Sequence, residues 1–256
     1  MKKYIFPLVC LLIVIVAACM YLCHDDKARN VLPKDVTAVA VLKPADLFQD
    51  LGLPLEKVRK LPLDVDEIME SIDLTKPIYA FATENGLSGV TLNVKDAARL
   101  MQIASSFSFA SEEQQGFQWI VNNSTIGCID EDKMLLVGPV ASAEQDALRQ
   151  EMLKLMKQNR QHVPVLEKAE EQKGVFLAGT SLGNLPKQYT KTLPAGTDLS
   201  KAYLNLALRI DKEAIRLFAK VEGVDHLVVP MSPIKGNLIN LEPEEPFAWM
   251  GFNMKG

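Results

Sequence analysis

The chain has 256 residues, with 28 Lys and Arg against 32 Asp and Glu, a formal net charge of -4 and 48% hydrophobic residues. That length carries one domain of ordinary to large size or two small ones, and the apolar content belongs to a globular fold and not to disorder. The mild acidity, with no basic cluster, leaves no electrostatic footprint for nucleic acid.

Tyr4 to Cys23 is an uncharged apolar run behind Lys2 and Lys3, and Val16-Ala17-Ala18-Cys19 inside it reads as a lipobox. A basic start, an apolar core and a small-residue pair before cysteine are the parts of a lipoprotein signal peptide. On this reading residues 1–18 are removed and Cys19 becomes the acylated, palmitate-bearing first residue. The rival reading is a membrane anchor over residues 4–23, since ~20 apolar residues also span a bilayer. Lys2 and Lys3 stay cytoplasmic in both, so the body faces the periplasm or the exterior. The outer membrane is the favoured address for the lipoprotein, and a single pass through the inner membrane is the alternative.

Cys10, Cys19 and Cys23 lie in or just after this leader, which leaves Cys128 alone in the body. Disulfide stapling within the body is excluded, so burial must hold the fold. Cys128 sits in a strand-like stretch without an activating base nearby, and a small buried thiol is its expected role.

Residues 19–34 form a tether. Val36 to Lys43 has the β-branched character of a largely buried strand, and Pro44 opens a helix that Gly52 stops. Helical stretches follow near Leu55 to Leu61 and Val65 to Ile72. Pro77 to Thr83 and Leu87 to Val94 flank Asn85-Gly86, a strong hairpin signal. The second of these strands leads into a helix over Lys95 to Phe107, whose Ala97, Leu100, Met101 and Ala104 recur at helical spacing. Short strands near Phe117 to Asn122, Thr125 to Asp130 and Lys133 to Gly138 make an antiparallel meander.

Ser142 to Lys157 reads as a helix opened by a Ser142/Gln145 capping box, with Leu148, Met152, Leu155 and Met156 on its buried face. A shorter helix lies near Val165 to Gln172. Gly174 to Thr180 and Ala202 to Ile210 are strands, and the spacing predicts a helix from Asp211 through Val221. The echo between Leu92–Met101 and Leu208–Phe218, with a looser copy at Val39–Phe48, suggests recurring strand-to-helix units at irregular spacing, not a solenoid. The whole reads as an α+β domain over residues 35–241. Residues 242–256 read as a linker and the start of an incomplete second unit, with a strand near Phe247 to Met254.

Leu32-Pro33, Asp73 to Phe81, Leu136 to Val140 and Pro233 to Gly236 carry a resemblance to an uncharacterised Bacteroidetes lipoprotein family, a domain of unknown function whose members run to about twice this length. The chain resembles that family's first half. The resemblance implies a two-part envelope protein, a lipid on Cys19 and an α+β fold; it implies no catalytic residue.

His24, His162 and His226 stand in no zinc-hydrolase frame, so no metal site is expected of them. Asp130-Glu131-Asp132 lacks the spaced oxygens of a calcium loop and reads as a solvated turn. Ser181 in Gly179-Thr-Ser-Leu-Gly183 is read as capping a helix and not as the serine of a nucleophile elbow. No glycine-rich phosphate cradle is present, so no cofactor is expected. Trp119 and Trp249 read as half-buried packing residues, with glycan stacking as their functional alternative.

The reading is therefore a non-enzymatic envelope lipoprotein that reaches the membrane through its anchor and contacts another envelope protein or a glycan. The alternatives are a glycosidase-like envelope hydrolase assembled from distant carboxylates and a truncated fragment of a longer lipoprotein.

Overall fold

The computed structural model describes residues 26–52, 65–158, 162–184, 198–210 and 214–223. Among the described residues ten strands form one antiparallel sheet in the order β10-β9-β8-β1-β2-β3-β7-β6-β5-β4. They are β1 (Val36–Leu42), β2 (Ile78–Thr83), β3 (Ser88–Asn93), β4 (Ala110–Gln114), β5 (Phe117–Val121), β6 (Ile126–Ile129), β7 (Lys133–Val137), β8 (Phe176–Ser181), β9 (Tyr203–Ile210) and β10 (Ile215–Glu222). The described helices are α1 (Pro44–Asp50), α2 (Val65–Ser71), α3 (Ala97–Ser106), α4 (Gln145–Met156) and α5 (Pro164–Glu170). The α+β expectation holds.

Side chains alternate across a strand, so each strand addresses two faces. The first face carries Val39 and Val41 of β1, Tyr79 and Phe81 of β2, Leu135 and Val137 of β7, Cys128 of β6 and Trp119 of β5, all nearly or fully buried. Residues 28–32, α4 and α5 cover it with Val31, Leu32, Met152, Met156, Leu166 and Ala169 in one core. On the second face, α3 lays Leu100 and Ala104 over Leu92, Ile120, Ile129 and Met134. Its N-terminus is held by the Asp96 carboxylate, which accepts from the Arg99 N–H at 3.0 Å, and an Arg99–Glu70 ion pair ties it to α2.

Several elements match the sequence reading closely. Asn85-Gly86 makes the β2–β3 turn, with Gly86 at φ +85° where a side chain is disfavoured. Others differ for identifiable reasons. The helix expected over Asp211 to Val221 is β10 from Ile215 onward, paired with β9 from Ile215↔Ile210 to Glu222↔Tyr203. Ile215, Leu217, Ala219 and Val221 alternate with polar or aromatic residues at Arg216, Phe218 and Lys220, a period of two that overrides the helix-capping signal at Asp211. The Leu208–Phe218 copy of the recurring unit is thus no strand-to-helix joint, while the copies at β3–α3 and β1–α1 are. Nothing in the sequence marks β4, because Ala110–Gln114 is polar and wholly exposed.

A 3-10 turn at Ser142–Glu144 precedes α4, so Glu144 and not Ser142 stands at its N-cap, and Gln145 donates to the Asn122 carbonyl at 3.0 Å. The expected helix near Leu55 to Leu61, the strand near Phe247 to Met254 and the linker at 242–246 lie outside the described residues.

The end of the expected tether is docked. Ala28, Val31 and Leu32 are fully buried because a polar cluster stitches this segment to the sheet. One Asp26 oxygen accepts from Asn93 Nδ2 at 2.8 Å and the other from the Tyr79 hydroxyl at 2.5 Å. The Ala28 N–H donates to Asn93 Oδ1 at 3.3 Å, and Thr91 Oγ1 donates to the Ala28 carbonyl at 3.0 Å. Arg29 Nη1 reaches both Glu170 oxygens, at 2.8 and 2.6 Å. The groups bonded in this way exchange water for a charged or amide partner, which makes an apolar turn between charged residues stable against the sheet.

Burial pushes the Tyr79 phenol well above its ordinary value of 10, and the charge and hydrogen bond of Asp26 push it further. A raised folded-state value means that stability is intact below the unfolded-state value and is lost as pH climbs through and beyond it. Urea unfolding should show stability declining above about pH 10, with a shallower decline in Tyr79→Phe. That variant should lose about 1–2 kcal/mol at neutral pH.

Candidate binding face

β1, β2 and β8 are largely apolar on both faces, and β9 is apolar on the second, its first face mixing Tyr203, Asn205, Ala207 and Arg209. The second face over these strands is built in rows fixed by the pairing. One row runs Leu206, Ala178, Ala40, Ala80 and the next Leu204, Thr180, Ala38, Ala82, with Leu208, Phe176, Leu42 and Ile78 along one end. Five alanines form the floor. Because a methyl group rises little above the backbone, they leave a trough of about 310 Å³ lined by β1, β2, β8 and β9. Leu204 and Leu206 stand at its side.

Its rows continue onto β10 through Leu206↔Ala219, Leu204↔Val221 and Leu208↔Leu217, where Leu217 is 58% and Val221 45% exposed. Among the described residues the one polar side chain on the trough floor is Thr180, and its hydroxyl is already committed to the Thr37 carbonyl at 3.1 Å. On the same face, α3 lies over the neighbouring strands β3, β7, β6 and β5. No described helix lies over the alanine rows. The expectation of a largely buried β1 therefore holds for Val39 and Val41, while Ala38 and Ala40 look outward half-covered.

A second concavity, of about 700 Å³, lies beyond the end of the sheet and brings together Asp46 and Asp50 of α1, Glu170, Lys43, Arg209 and Arg216. Sequence-distant carboxylates do meet here. Glu170, however, is held by Arg29, and the Arg209 guanidinium lies 4.3 Å from the centre of the Phe218 ring while its Nε donates to the Lys173 carbonyl at 2.7 Å. Glu170 and Arg209, two of the charges that line the cleft, are thus already engaged.

Cys19, with His24, His226 and Trp249, lies outside the described residues. Cys128 is fully buried, and burial, with the Asp130 carboxylate adding to it, pushes its thiol up to about 12. His162 is exposed and within 2.8 Å of Glu167. Asp130 accepts from the Glu131 N–H within its turn at 2.8 Å. Among the described residues no three His, Cys, Asp or Glu side chains gather into a metal-holding group.

Gly179 to Gly183 does carry the Gly-x-Ser-x-Gly spacing, but Ser181 ends an antiparallel strand and leads into a short 3-10 turn at Leu182–Asn184. That is neither the strand-turn-helix of a nucleophile elbow nor the helix start expected of Ser181. Trp119 is fully rather than half buried; its Nε1 donates to the Gln114 carbonyl at 3.3 Å and Arg149 lies 5.0 Å from the centre of its ring. Its face is therefore closed to a sugar.

Among the described residues no helix is long and apolar enough to cross a membrane; the run from Tyr4 to Cys23 lies outside them. No protein family and no curated protein sequence matches the chain. Among solved structures the chain is similar to TP0453 in its crystal form IV, at 14% identity and a TM-score of 0.50, over 77% of this chain and 81% of that one. Crystal form I of the same protein aligns at 14% identity and a TM-score of 0.49, over 85% of this chain and 84% of that one. The likeness is one of fold.

Since a thiolate is the reactive form, Cys128 in the folded chain should resist a water-soluble thiol reagent at pH 8. Peptide mapping should find it modified only after denaturation.

Proposed function

We propose that this chain is a non-enzymatic cell-envelope lipoprotein of the Bacteroidetes type that its sequence resembles. Cys19 carries the lipid, and the alanine-floored face seats a helix of a neighbouring envelope protein. The observation that carries the reading is the apolar trough on β1, β2, β8 and β9, bordered on the same face by α3 on its own strands. A helix laid on a sheet needs small side chains beneath it and larger ones beside it, which is the arrangement of Ala38, Ala40, Ala80, Ala82 and Ala178 beside Leu204 and Leu206.

The chemistry of the trough favours a protein partner over a glycan. A sugar is held by aromatic faces and hydrogen-bonding side chains, whereas an amphipathic helix is held by apolar contact. The lipobox supplies the address: a lipid on Cys19 at the head of the chain holds the folded body beside the membrane, where envelope proteins are concentrated. Burying one leucine of this face is worth about 1.5–3 kcal/mol, so a helix spanning the rows gains enough to hold.

Palmitate should label the protein, and Cys19→Ala should abolish the label. Ala40→Asp with Leu206→Asp should keep the circular dichroism of the parent and lose a stoichiometric partner recovered by cross-linking in the envelope. Equal recovery with the double variant would count against this face.

A further inference from the structure

From the edge of the sheet we infer that the chain pairs with a second copy of itself, strand β10 against strand β10, about a two-fold axis through Ala219. Among the described residues β10 is the terminal strand of the sheet, and Ile215 is 69% and Leu217 58% exposed on it. Alternate residues of such an edge aim N–H and C=O groups away from β9, a template for one more antiparallel strand. The opposite edge, β4, is five residues long, wholly exposed and carries Glu112 and Glu113, features that discourage pairing there.

Parity and charge together select the register. Residues opposed in an antiparallel pair share a face, so a two-fold axis must pass through a residue and not between two. With the axis at Ala219, Arg216 approaches Glu222 of the other copy twice over and joins the ion pairs that Glu222 makes in its own chain with Lys220 and, at 3.8 Å, with Lys168; Leu217 faces Val221, and Phe218 faces Lys220. Opposite charges, an apolar pair and a cation over a ring all stabilise cross-strand neighbours. Moving the axis to Phe218 sets Arg216 against Lys220, a like-charge pair at each end. The Ala219 axis also makes the apolar rows of the two sheets continuous, since Leu217, Ala219 and Val221 extend the rows of Leu208, Leu206 and Leu204. The pairing stands whether or not that face seats a helix and whether or not Cys19 is lipidated.

Reciprocal charge reversal in the full chain, held in mild detergent, tests it by sedimentation. The parent should go from the mass of one chain to that of two as concentration rises. Arg216→Glu alone and Glu222→Arg alone should each remain at one chain, since each meets a like charge twice. An equimolar mixture of the two variants should recover the doubled mass, because both opposed pairs are then complementary.

A parent that stays at one chain at every concentration, a dimer indifferent to both reversals, or growth past two copies would overturn the inference, the last because it marks a head-to-tail β10–β4 contact. Ala219→Cys serves if a reversed chain fails to fold. Opposed Cα atoms lie ~4.5–5.5 Å apart in either kind of antiparallel pair, within disulfide reach. Added oxidant should then join two copies of the Ala219→Cys chain through their introduced thiols, while Lys220→Cys should not link. Failure of the Ala219→Cys link in a dimer would equally overturn the register.

Discussion

A single open sheet has two faces, and a chain that makes both of them apolar must cover both or leave one for something else. This constraint organises the structure. The first face is closed by residues 28–32, α4 and α5. α3 closes the second face over β3, β7, β6 and β5, while the rows over β1, β2, β8 and β9 have no described helix above them. These rows are floored by alanine, so the open area is a trough and not a bulge. Leaving small side chains half-covered costs less than leaving leucines so, because the free energy of burial scales with apolar area.

The polar cluster at the start of the described chain fixes where the body stands relative to what precedes it. Asp26, Tyr79, Asn93 and Thr91 hold the turn at residues 28–32 on the first face, and Arg29 extends the hold to α5 through Glu170. A segment anchored in this way emerges on the side of the sheet opposite the trough. A lipid on Cys19, a few residues upstream, would therefore tether the body from its closed face and leave the alanine rows free to meet another protein.

Much of the fold was legible in the residues. Asn85-Gly86 announced its hairpin through a backbone conformation that few residues accept, and α3 announced itself through Ala97, Leu100, Met101 and Ala104. The failures share a cause: local signals lost to pairing. Asp211 resembled a helix cap, but the alternation from Ile215 to Val221 gained more from β9 than a helix could return. Ala110–Gln114 has no strand-like pattern and is a strand because Gln118 and Trp119 of β5 oppose it. Ala28, Val31 and Leu32 looked like tether because the residues that hold this segment, Tyr79, Thr91 and Asn93, lie far off in sequence. The trough had a signal that passed unused: β1 and β2 carry Ala38, Ala40, Ala80 and Ala82 on one parity, opposite the valine and aromatic residues of the core. An apolar strand with small residues on one parity and large ones on the other marks a face built for close approach.

The account turns on whether the alanine rows are open in the isolated protein and occupied in the cell. The most direct measurement is the labelling rate of Ala40→Cys with a water-soluble thiol reagent, in purified protein and in intact envelopes. Fast labelling in solution with protection in the envelope is the result expected here. Slow labelling in the purified protein, or equal rates in both settings, would contradict it.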